Sequence, residues 1–86
     1  MMSGVELSDR DKLVLRIIGD YCDRKGQDSV KLEELSERLR VAGININDAM
    51  DSLYRLEDSG LIKLEIVGYS TIISLTDKGK ETYRRL

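Results

Sequence analysis

Between residues 13 and 22 apolar side chains return every third or fourth position: Leu13, Val14, Ile17, Ile18, Tyr21 and Cys22. That period gathers them on one helical face, with Arg10, Lys12, Arg16 and Asp20 on the other. Ser8 stands where an N-cap is needed, and Asp11, three positions on, can reach back to it. A first helix is therefore expected over residues 8–24. Residues 24–28 form a polar turn with its break at Gly26, and Val30 is placed in a brief first strand. A second helix is expected from Leu32 to Arg40, with Leu32, Leu35 and Leu39 facing inward. Residues 41–44 turn into a third helix over about residues 47–58, capped by Asn45 or Asn47. Its core stripe is Ile46, Ala49, Met50, Leu53 and Leu56, and Gly60 supplies the left-handed residue that ends it.

Beyond Gly60 the period changes from helical to two. Leu61 to Val67 alternates apolar residues with Lys63 and Glu65, the pattern of a half-buried strand. A turn at Gly68, Tyr69 and Ser70 returns the chain antiparallel over Thr71 to Leu75. Thr76 then caps a last helix reaching Leu86, with Tyr83 and Leu86 facing inward.

The chain has 86 residues, 41% hydrophobic and 35% charged. One domain is expected, burying roughly 60% of its unfolded surface, with residues 1–7 flexible. No apolar run is long enough for a membrane span, and the N-terminus has no signal-peptide pattern. The lone Cys22 cannot form an internal disulfide, which fits a reducing cytoplasm. It reads as a small buried hydrophobe. Histidine is absent, so a zinc site lacks its usual ligands and acid–base catalysis its usual residue. No phosphate-cradling glycine loop is present. The chain is expected to be neither an enzyme nor a cofactor binder. A net charge of −2 excludes a broad basic surface but not a local patch.

Five segments carry a resemblance: Leu32 to Leu39, Gly43-Ile44, Leu53 to Leu56, Gly60 to Ile62 and Leu75 to Gly79. In this order and spacing the chain resembles winged helix-turn-helix proteins, including MarR-type and small archaeal regulators. The resemblance spans residues 8–86. It implies an α+β fold with a three-helix core, a two-stranded β-hairpin wing and a C-terminal helix. The path from Leu39 to Gly43 is longer than is common in such regulators, from an extra helical turn or a looser connection.

The resemblance also implies a role as a regulator that reads duplex DNA, the third helix entering the major groove. Asn45, Asn47, Ser52 and Arg55 would then meet bases or phosphates. Lys31, Arg38, Arg40 and Lys63 would hold the backbone, and Tyr69 would sit at the tip of the wing. Each has a plainer reading. The asparagines suit helix capping, and Arg55 suits solvent or an i, i+4 pair with Asp51 worth about 0.2–0.5 kcal/mol. Tyr69 can equally fold back on the hairpin.

The charges also suit a second role. Asp48 and Asp51 would face a phosphate lattice, and the turn of the wing has no Lys or Arg. Asp48 is also well placed to complement the helix dipole. With a pI near 5.1, the chain resembles in architecture the protein-binding winged helices of a replication protein A subunit and of ESCRT subunits. Asp48, Asp51, Tyr54 and Tyr69 would then face a basic or amphipathic protein partner. Lys78, Lys80, Arg84 and Arg85 read as a solvated face. Val5, Leu7, Leu15 and Leu86 form an apolar group suited to a homodimer.

Overall fold

A computed structural model describes residues 6–86. Four helices and one three-stranded antiparallel sheet make up the described chain: α1 (Asp9–Lys25), β1 (Ser29–Lys31), α2 (Ser36–Val41), α3 (Ile46–Asp58), β2 (Ile62–Val67), β3 (Ser70–Leu75) and α4 (Asp77–Arg84). A single 3-10 turn, Leu32–Leu35, leads into α2. The second helical segment thus extends one residue beyond Arg40 but begins in tighter coiling than expected. The sheet order is β1-β3-β2, so β3 is central and the other two strands are edges.

Local chemistry sets the ends. Ser8 and Asp11 form a reciprocal capping box at α1, and Asn45 and Thr76 cap α3 and α4. Gly60 follows α3 at φ 77°. The hairpin turn is Gly68-Tyr69, with Val67 opposite Ser70. Gly68 has φ 64° and Tyr69 a negative φ, the sign pattern of a II′ turn that suits strand twist. Ser70 therefore opens β3 rather than closing the turn.

The core is continuous, built on Leu15, Ile18, Leu35, Leu53, Leu56, Ile62 and Ile73. Val30 on β1, Ile73 on β3 and Leu64 on β2 form one cross-strand row on the inner face. Cys22 is buried as expected. Several apolar placements differ from expectation. Leu15, expected outside the main stripe, is fully buried, while Leu13 is exposed. The cause is that α1 is covered on two sides, by α3 and by α4, which draws its buried arc toward Leu15 and Gly19. Ile46, the first residue of α3, is exposed rather than part of the core, and Leu86 is exposed beyond the end of α4. The proposed dimer patch loses Leu15 to the core, and Leu7 packs against that core. Val5 and the rest of residues 1–5 lie outside the described residues. No helix among the described residues is long and apolar enough to cross a membrane.

Candidate interaction surface

The polar seam between α1 and α3 decides which side chains α3 can offer. Asp11 is fully buried, and its two carboxylate oxygens accept from Arg55 Nε at 2.9 Å and Nη2 at 3.0 Å. The Ser8 backbone N–H also donates to it, at 3.2 Å. Burial alone would raise the Asp11 pKa. The donors from Arg55, Ser52 and Ser8, with the charge of Arg55, outweigh it and hold the carboxyl at about 2. The same hydrogen bond to Asp11 raises the pKa of Arg55. Arg10 completes the seam: its Nε donates to Ser52 Oγ at 3.0 Å, and its Nη1 lies 3.4 Å from Asp48 Oδ1.

Two of the residues expected to meet DNA are engaged within the fold. Ser52 is fully buried between the helices and faces α1, not solvent. Arg55 is pinned to Asp11 across 44 positions of sequence, in place of a pair with Asp51. Asn45 caps α3, its Oδ1 accepting from Asp48 N–H at 2.8 Å, and the residue stays exposed. The remaining solvent face of α3 is Asn47, Asp51, Tyr54 and Asp58, a stripe at helical spacing with no cation.

The other expected basic contacts are spread over α2 and the two edge strands of the sheet. Arg38 is half-buried, its guanidinium 4.9 Å from the Tyr21 ring centre. Arg40 pairs with Glu37. Lys31 and Lys63 are exposed at opposite edges of the sheet, aligned with Ile72 and Ser74 respectively. Tyr69 projects fully into solvent instead of folding back on the hairpin.

The sequence reading missed part of this surface. Ile66 and Val67 are exposed beside Tyr69, so the hairpin end is apolar. A signal was present: adjacent apolar residues on a strand point to opposite faces, so one of the two must look away from the core. A depression of about 220 Å³ lined by Ser36, Leu39, Arg40, Ile44, Asn45 and Ile46 lies at the α2–α3 turn. Among the described residues no three metal-ligating side chains cluster.

No protein-family model matches the chain, and no curated protein matches it in sequence. In structure the chain is similar to AF1382 from Archaeoglobus fulgidus, with a TM-score of 0.68 and 21% identity over 92% of this chain and 82% of that one. At that identity the likeness concerns the fold alone.

Proposed function

We propose that this chain is a winged helix-turn-helix domain that binds another protein through α3 and the β2–β3 hairpin, the hairpin serving as the wing. The observation that carries the reading is the inward turn of Ser52 and Arg55 onto α1, which leaves α3 an anionic and aromatic outer face. The exposed apolar residues Ile66, Val67 and Tyr69 at the hairpin end add to it. Apolar groups clustered in one exposed place suit protein contact more than phosphate contact.

Duplex DNA binding, the commonest employment of this architecture, is the competing reading. It would need Asp51 and Asp58 to approach phosphates, with Arg38 stacked on Tyr21 and Arg40 paired to Glu37. An NMR amide titration with a mixed-sequence duplex at low salt, repeated near physiological salt, separates the two. The expected result is no clustered shift on α3 or the hairpin. Shifts over residues 45–55 and 63–71 that weaken as salt rises would overturn the protein-binding reading.

A further inference from the structure

The turn at residues 59–61 folds β2 back along α3, and the two elements are tied where Leu64 N–H donates to the Glu57 carboxylate at 3.1 Å. Tyr54 lies one helical turn before Glu57, and Ile66 lies two residues beyond Leu64 on the same strand face. Both side chains therefore lie to the same side of the tie, one on each element. Tyr54 is 54% exposed and Ile66 77% exposed. Both elements thus carry an exposed apolar side chain, and the exposed Val67 and Tyr69 extend the apolar surface around the hairpin end.

The helical side is bordered by acids. Asp51 and Asp58 flank Tyr54 at i−3 and i+4, and both are exposed. Among the described residues neither acid forms an ion pair: Arg55 is held by Asp11, Lys78 donates to the Ser59 carbonyl, and the Lys63 side chain lies on the sheet face opposite Ile66. Strand addition to β2 is obstructed, because a glutamate occupies the middle outward N–H of that edge. Glu57 takes the outward N–H of Leu64, and Glu34 takes that of Lys31 at 2.9 Å. Docking must therefore proceed through side chains, and a helix presents an apolar stripe flanked by charge.

We infer that the exposed α3–β2 surface takes a cationic amphipathic helix of a partner protein, its apolar stripe on Tyr54 and Ile66 and its Lys or Arg residues against Asp51 and Asp58. This rests on the protein-binding reading above and adds the chemistry of the partner.

The probe is a synthetic peptide of about 18 residues, long enough to hold a helix, built from leucine and lysine at helical period. A leucine–glutamate peptide of the same pattern serves as its counterpart. Both are titrated into the full chain by NMR and calorimetry. The expected result is that the lysine peptide shifts amides over residues 51–58 and 64–70. Asp51→Lys should weaken it about tenfold, while Glu81→Lys, the same charge change on an exposed position of α4, should leave affinity within about twofold. Equal losses in both variants would reduce the binding to net-charge attraction and overturn the inference, as would no shift with either peptide. Preference for the glutamate peptide on the same face would overturn the cationic partner yet leave protein binding standing. Duplex DNA shifting these amides at low salt would instead remove the reading beneath it.

Discussion

Arg55 grips Asp11 with two near-parallel hydrogen bonds, of 2.9 and 3.0 Å, that join the third helix to the first turn of the first. The geometry is a bidentate fork on a carboxylate, stronger and more directional than a single bond. Its two ends differ in solvation. The Asp11 side chain has no exposed surface, whereas that of Arg55 is 39% exposed. The contact therefore fixes the rotation of α3 against α1, and with it the residues that α3 shows to solvent.

That difference makes the two truncations unequal. Arg55→Ala strands a buried carboxylate and is expected to cost about 3–5 kcal/mol. Asp11→Ala leaves a guanidinium that can turn to water, so about 1–3 kcal/mol is expected, including the lost cap. Urea unfolding at pH 7 measures both, and the double variant should cost less than the sum. Equal costs for the two single variants would show that the burial asymmetry does not govern the pair.

Acid should reveal the same carboxylate. Asp11 is depressed from an ordinary value of 3.8 to about 2. A lowered folded pKa stabilises the fold above the unfolded value, and the gain is lost as pH falls through the folded one. About 2 kcal/mol should therefore be flat above pH ~5 and disappear progressively between pH ~4 and ~2. In Asp11→Asn this portion of the pH dependence should be missing. A variant that keeps the wild-type acid slope would assign the loss to other carboxylates.

The Ser8–Asp11 capping box was legible because both partners lie within one helical turn. The Arg55 contact was not, because nothing local in the sequence marks a pairing 44 residues away. Element order, the Asn45 and Thr76 caps and the Gly60 stop also follow from local rules. The helical period places Leu15 off a single stripe, but a helix covered by both α3 and α4 has a wider buried arc. Ile46 and Ile66 fail differently. Each keeps the phase of its element's core face but sits at an end, where the partner layer no longer covers it. The surface reading consequently changed more than the fold reading, since Ser52 and Arg55 moved from the outer face of α3 to the seam.

Glycine is required where α4 meets the body. A Cβ on Gly79 would overlap the backbone carbonyl of Leu61, and one on Gly19 would overlap the Tyr83 ring. Backbone cannot step aside as a ring can. Gly79→Ala is expected to cost upward of about 3 kcal/mol and Gly19→Ala about 1–3 kcal/mol. In a Tyr83→Ala background the Gly19 substitution should become nearly neutral, because the obstacle is gone. Thermal unfolding of the four variants tests this; a Gly19→Ala cost that persists without the ring would point to another cause.

Glu57 and Glu34 make a last prediction, because each occupies an outward N–H of an edge strand. Their side chains are exposed, so Glu57→Ala should change stability by no more than about 0.5 kcal/mol. Its main effect should be on association. Freeing Leu64 N–H extends an unpaired edge toward Ile66, where the strand is apolar and open to another copy. Light scattering across a concentration series should show Glu57→Ala self-associating at concentrations where the parent does not, and Lys63→Ala behaving as the parent. Glu34→Ala should have a smaller effect, since β1 offers only three residues for pairing. If Glu57→Ala scatters like the parent throughout, the carboxylate is not what keeps that edge closed, and the protection must come from the hairpin's shape or twist.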